Sequence, residues 1–151
     1  MMFFEIGYSE LIFADRVILY EGDSERLYIR KLIKLPEFSA LADSYIAFIQ
    51  VGGAYAHNYL PILKMLKMKT LIITDLDYNK DAMSMEEVKR EDSKSTNATI
   101  NYCYRLVHAD REKDYSPTIK ELYDFQVKGE SVLYNGLVYL TFQDEKNKRQ
   151  K

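Results

Sequence analysis

The sequence predicts an α/β fold, a parallel sheet flanked by helices. Three observations carry this. Short apolar, β-branched runs recur at Arg16–Tyr20, Ser44–Val51 and Lys69–Asp77. Helical apolar periodicity separates them. Each run ends in an acid or a glycine: Glu21 after the first, Gly52-Gly53 after the second, Asp75 and Asp77 at the end of the third. Strand–helix–strand–helix–strand order implies right-handed βαβ crossovers and parallel pairing. In such sheets the functional site lies beyond the carboxyl ends of the strands.

The elements follow in chain order. "RVILY" (Arg16–Tyr20) reads as a buried strand. Asp23 or Ser24 is the expected N-cap of the next helix, with Glu25 and Arg26 in its first turn. Leu27, Ile29, Leu32, Ile33 and Leu35 form its apolar stripe, and Pro36 marks its end. "SYIAFIQV" (Ser44–Val51) is the second strand. The Gly52-Gly53 pair after it predicts a sharp turn with unusual backbone angles or a close approach. "YAHNYLPILKMLKM" carries a helical pattern, with Pro61 suited to a first turn or a kink. "KTLIITDLD" is the third strand. Tyr78–Asn97 reads as a charged loop with a short helix around Met85–Arg90. "NATINYCYRLVHA" predicts a helix capped by Thr96 or Asn97. "SPTIKELYDF" predicts another, with Pro117 at its first position. "SVLYNGLVYLTF" predicts a hairpin around Asn135-Gly136. One domain is expected over residues 1–143, followed by a solvated tail at 144–151.

Composition narrows the function classes. The 151 residues carry 21 Lys plus Arg and 23 Asp plus Glu, a net charge of -2. That balance excludes nucleic-acid binding by bulk positive charge; such a role needs a local patch or bound cations. The basic clusters are Lys64–Lys69 and the tail Lys146–Lys151. Cys103 is the single cysteine, so no internal disulfide forms, which fits a reducing, cytoplasmic compartment. The start "MMFFEIGY" lacks the basic region of a signal peptide, and no apolar run approaches a membrane span, so no membrane partner is expected. His57 and His108 lack partners for zinc or nucleophilic chemistry and read as structural. Cys103 reads as a small buried residue. Met83 and Met85 are candidate interface residues.

The acids carry the chemistry. Period-two alternation puts Asp75 and Asp77 on one side of a strand end. Glu21 stands at the tip of the neighbouring strand, and Glu25 about one helical turn beyond. Carboxylates converging on one edge must protonate, splay into water or bind a cation. Hard oxygen ligands suit Mg²⁺ or Mn²⁺. The plainer readings are a helix-start charge set for Glu21 and Glu25, a loop Asp-x-Asp, and a simple turn at Gly52-Gly53. The order of all three at successive strand ends favours a site.

A strand ending in Glu-Gly, a βαβ unit and a strand ending in Asp-x-Asp together resemble the Toprim domain, a Rossmann-like fold of topoisomerases, bacterial primases and several nucleases. "SELIFADRVILYEGDSER" (Ser9–Arg26), "VGGAYAHNYLPILKML" (Val51–Leu66), "LIITDLD" (Leu71–Asp77), "STNATI" (Ser95–Ile100) and "VYLTFQ" (Val138–Gln143) are similar, in order, to the Toprim region of the OLD (overcoming lysogenization defect) family. That family couples an ABC-type ATPase to a metal-dependent nuclease. The resemblance implies that Glu21, Glu25, Asp75 and Asp77 are metal ligands, with Glu21 and Asp75 catalytic. It implies that Gly22 lets the backbone turn beneath the site and that Gly52 and Gly53 bring backbone amides close to it. The implied cofactor is Mg²⁺ or Mn²⁺. The implied partners are DNA and an ABC-type ATPase domain or subunit.

The sequence departs from the family in two ways. It holds no G-x-x-x-x-G-K-[ST] phosphate loop. After "VYLTFQ" it runs into "DEKNKRQK", where the family continues to a further catalytic lysine. The expectation is a fragment, a shortened relative or a piece of a longer protein, a hydrolase domain incomplete by itself. A non-catalytic binding or regulatory module is the alternative. A phosphatase or receiver-like domain fits less well, because those folds place their acids on the first strand.

Overall fold

The computed structural model describes residues 8–79 and 92–143. The predicted helix around Met85–Arg90, the residues Met83 and Met85, and the tail at 144–151 lie outside the described residues. A five-stranded sheet has the order β2-β1-β3-β5-β4. Its strands are β1 (Arg16–Tyr20), β2 (Ile46–Gln50), β3 (Lys69–Asp75), β4 (Val132–Leu133) and β5 (Val138–Gln143). β1 pairs in parallel with both β2 and β3, β3 pairs in parallel with β5, and only β4 runs antiparallel, against β5. The helices are α1 (Tyr8–Phe13), α2 (Asp23–Leu32), α3 (Leu60–Met65), α4 (Ala98–Val107) and α5 (Ile119–Val127). Among the described residues no helix is long and apolar enough to cross a membrane.

The first strand has the predicted bounds. The second and third are shorter at their ends: β2 is Ile46–Gln50, and β3 closes at Asp75, the last residue paired with β5, not at Asp77. The cap of α2 is Gly22 rather than Asp23 or Ser24. Pro61 lies in the first turn of α3 as expected. Asn97, one of two predicted caps, accepts the backbone N–H of Ile100 at 3.1 Å with its side chain. Pro117 precedes α5 instead of opening it, since Thr118 takes the cap. There the Thr118 hydroxyl accepts the Glu121 N–H at 3.2 Å and Glu121 accepts the Thr118 N–H at 2.8 Å. That reciprocal exchange satisfies two donors that a proline start would leave open. The hairpin forms around Asn135-Gly136 with three consecutive positive φ angles, 52° at Tyr134, 56° at Asn135 and 85° at Gly136. Asn and Gly tolerate that region; Tyr134 is held there by the closed loop.

The two faces of the sheet are unequally covered. Val17, Leu19, Ala47, Ile49, Ile72, Val138 and Leu140 point to one face and meet Leu60, Leu63, Ile100, Cys103, Leu122 and Phe125 from α3, α4 and α5. On the other face the buried set is Ile18, Ile29 and Ile73, with Ile33, Ile46, Phe48 and Leu71 partly buried around it. Here α2 covers β1 and β2, while a groove of about 740 Å³ opens over Leu71, Ile73, Tyr139 and Thr141. α1 has no sequence signal, being six residues anchored by a single buried side chain, Leu11.

Stability should follow this asymmetry. Ile72 is fully buried and Leu71, its neighbour on β3, faces the groove. Ile72→Ala should cost ~2–5 kcal/mol and Leu71→Ala less than about 2 kcal/mol in urea unfolding. Equal costs would contradict the one-sided core. Burial also pushes the Cys103 thiol from 9.0 up to about 12. A raised folded-state value favours the neutral thiol. Its contribution to stability is therefore complete below pH 9 and declines as pH rises through about 12. The native thiol should resist a disulfide exchange reagent at pH 8 and react fully once the chain is unfolded; rapid native reaction would show Cys103 to be accessible.

Candidate metal centre

Parallel pairing brings the carboxyl ends of β2, β1 and β3 side by side. Tyr20 is level with Gln50, and the Val51 N–H donates to the Tyr20 carbonyl at 2.8 Å. Glu21 leaves the tip of β1 at this edge. Its carbonyl accepts the Gln50 side-chain amide at 3.0 Å, which ties it to β2. Its carboxylate turns the other way, to β3. There Oε1 accepts the Thr74 hydroxyl and, more weakly, the Asp75 backbone N–H at 3.4 Å. Glu21 is thus pinned to both neighbouring strands, and its half-buried carboxylate stands over the end of β3. Both of these hydrogen bonds fall on Oε1.

Asp75 is the last residue of β3 and is half-buried. Asp77 lies beyond the strand and is exposed, while Leu76 between them is buried. The alternation expected of a strand does not carry the Asp-x-Asp pair. A local turn does: the Asp77 N–H donates to the Asp75 carbonyl at 3.1 Å. The Asp77 carbonyl accepts the Thr96 N–H at 2.9 Å, which joins this turn to the segment that leads into α4.

Glu25 is turned away from the others. Its Oε2 accepts the Gly22 N–H at 3.0 Å and its Oε1 accepts the Ser24 hydroxyl at 3.0 Å. This is one half of a capping box, in which an acid at the third helical position satisfies the amide at the helix start. Among the described residues no group of three or more His, Cys, Asp and Glu side chains is disposed to hold a metal. The structure therefore brings Glu21 to the Asp75 end of β3 but leaves the full set of Glu21, Glu25, Asp75 and Asp77 unassembled. Carboxylate and water ligands fit Mg²⁺ or Mn²⁺, and Glu21 with Asp75 form the half of that donor set already at one edge.

The glycines take different roles from those expected. Gly22 is extended, with φ of -131°. An added Cβ would lie 2.8 Å from the far end of the Glu25 side chain, a flexible group that can shift, so glycine is not strictly required there. Gly52 has φ of -63°, and a Cβ there would meet nothing within 4 Å. The unusual angles predicted for it are absent, because the chain passes directly into a 3-10 helix, Gly53–Tyr59. The histidines behave as structural groups. His57 takes its backbone hydrogen bond from its own N–H to the Thr99 hydroxyl at 3.2 Å and lies against Tyr102. His108 stacks on Tyr104 at 4.2 Å and pairs with Glu130 at 3.5 Å.

Two residues at this edge were not singled out for the site by the sequence. Thr74 is 2% exposed and Asn97 is 1% exposed. The Asn97 amide donates to the Thr74 hydroxyl at 2.7 Å and to the Asp75 carbonyl at 3.0 Å. A signal was available: a threonine inside an apolar strand, immediately before the acid, must find a buried partner.

The comparisons with known proteins point to the same segments. Residues 12–77 match the family described as overcoming lysogenization defect protein-like, TOPRIM domain. That range holds β1, α2, β2, α3 and β3 with Glu21, Glu25, Asp75 and Asp77. The chain is also 28% identical over 120 residues to endonuclease GajA of Bacillus cereus (strain HuB5-5), an alignment covering 80% of this chain. It spans 16% of the length of that relative. Residues 12–77, which hold the parallel strands β1, β2 and β3, are thus similar to the TOPRIM domains of the overcoming-lysogenization-defect type.

Proposed function

We propose that the chain is the metal-dependent nuclease part of an OLD-type endonuclease and acts on DNA phosphodiesters with Mg²⁺ or Mn²⁺. The observation that carries this is Glu21. It is an acid at the tip of a buried strand, pinned to the end of β3 beside Asp75, inside the matched TOPRIM segment. The endonuclease similarity supports the reaction class.

In this reading Glu21 and Asp75 are the first ligands and the catalytic pair, with Asp77 exposed beside them to complete the set through water. For Glu25 to join, its carboxylate has to leave the Gly22 N–H. A bound divalent cation would supply positive charge to a phosphodiester oxygen and lower the pKa of a bound water. The chain's own residues hold the Glu21 carboxylate at the end of β3, next to Asp75 and the buried Leu76. DNA is the proposed substrate and an ABC-type ATPase domain or subunit the proposed partner. Residues 1–143 form the proposed domain, with 144–151 as its tail. A non-catalytic binding module is the second reading, favoured by the capping role that Glu25 takes in this structure.

The test is metal-induced stabilisation. Saturating Mg²⁺ or Mn²⁺ at about 100 times its dissociation constant should add ~2.7 kcal/mol, a rise in Tm of roughly 5–10 °C for a chain of this size. Glu21→Ala with Asp75→Ala should abolish the rise. A rise that survives both substitutions would put the metal elsewhere. Plasmid nicking in Mn²⁺ separates the two readings. Cleavage lost in Glu21→Gln and in Asp75→Asn supports the nuclease, and metal binding without cleavage, even when an ATPase partner is supplied, supports the binding module.

A further inference from the structure

We infer that Asn97 and Thr74 are positioning residues that orient the Glu21 carboxylate for its cation, through a directed chain of hydrogen bonds from α4 to the strand edge. The inference rests on the metal reading of the site.

The direction of the chain follows from donor and acceptor chemistry. Asn97 caps α4 with its Oδ1, which accepts the Ile100 N–H at 3.1 Å. That bond fixes the amide orientation, because a reversed amide would set its NH₂ against the Ile100 N–H. Nδ2 therefore faces the Thr74 hydroxyl at 2.7 Å and the Asp75 carbonyl at 3.0 Å, and it can only donate to them. The Thr74 oxygen accepts from Asn97, so its single proton is left for Glu21 Oε1. Glu21 is consequently held as an acceptor on Oε1. The same Asn97 amide holds the carbonyl of Asp75, the second proposed ligand. One buried side chain thereby ties the backbone of Asp75, and through Thr74 the Glu21 carboxylate, to the start of α4.

Neither residue touches the cation in this account. Partners of this kind orient metal ligands, and their loss typically lowers affinity about 10–100-fold. Asn97 also carries the cap of α4, so its replacement perturbs the fold as well. Thr74 separates the roles. Thr74→Val keeps the branched shape and the buried position but removes the hydroxyl, while Thr74→Ser keeps the hydroxyl and drops only a methyl.

The experiment has two parts. The first needs no metal. In the metal-free chain, ¹⁵N NMR follows the Asn97 side-chain amide. Glu21→Gln should shift it through Thr74, and Thr74→Val should uncouple the two. An Asn97 amide indifferent to Glu21 overturns the chain of bonds. The second part measures Mn²⁺ affinity by electron paramagnetic resonance. Thr74→Val should bind about 10–100-fold more weakly than wild type, with Thr74→Ser restoring affinity to within about threefold of it. Thr74→Val binding as tightly as wild type overturns the proposal, and so does Thr74→Ser binding as weakly as Thr74→Val. A wild-type chain that binds no Mn²⁺ refutes the metal reading instead, and the amide shift then decides the hydrogen-bonded chain alone.

Discussion

The hydrogen bond from the Thr74 hydroxyl to the Glu21 carboxylate is the constraint on which the site depends. It joins residues 53 positions apart and exists only if β1 and β3 are adjacent, parallel and in register. The pairing of Arg16 with Lys69 and of Leu19 with Ile72 brings the two strand ends level. A slip of one residue would turn every β3 side chain to the other face. It would move Thr74 away from Glu21 and take Ile72 out of the core. The same register thus serves packing and chemistry. The apolar periodicity of "VILY" and "LIIT" specifies it, and the polar contact at the edge completes it.

That contact costs something. A carboxylate drawn over the sheet edge gives up water, and a buried hydroxyl or amide without a partner is destabilising by ~1–3 kcal/mol. The structure meets the cost by closing the set: Asn97 serves Thr74, Thr74 serves Glu21, and Gln50 serves the Glu21 carbonyl. Glu25 meets a similar demand differently. As the third residue of α2 it satisfies the helix-start amide of Gly22, and the macrodipole of α2 favours its charge there. Under the proposed metal role, capping and cation binding would compete for this side chain, whereas the Thr74 bond to Glu21 falls on Oε1 alone.

Much of the fold was legible because it rests on local patterns. β1 has the predicted bounds, Asn97 caps α4, and the Asn135-Gly136 hairpin forms, each driven by a few adjacent residues. The misses share a physical origin. The choice of Gly22 over Asp23 as the α2 cap depends on how Glu25 folds back, and the choice of Thr118 over Pro117 depends on Glu121. Asp77 reads as part of a strand until pairing is known to end at Asp75. α1 is six residues long, too short to show a period, and its Leu11 is buried in the core. At the site, the acids Glu21 and Asp75 could be named from their place after apolar runs. Thr74 carried only the general signal of a hydroxyl inside an apolar strand, and its partner Asn97 is identified only when two distant segments meet.

The central claim is that Glu21 and Asp75 share one cation at the carboxyl edge of the sheet, with Glu21 held by Thr74. Anomalous diffraction from a Mn²⁺-soaked crystal tests it most directly. The account predicts a peak in direct coordination contact with the Glu21 and Asp75 carboxylates, with the Thr74 hydroxyl still bonded to Glu21. A peak bound elsewhere, or a metal bound at this edge with Glu21 turned away from it, would contradict the account.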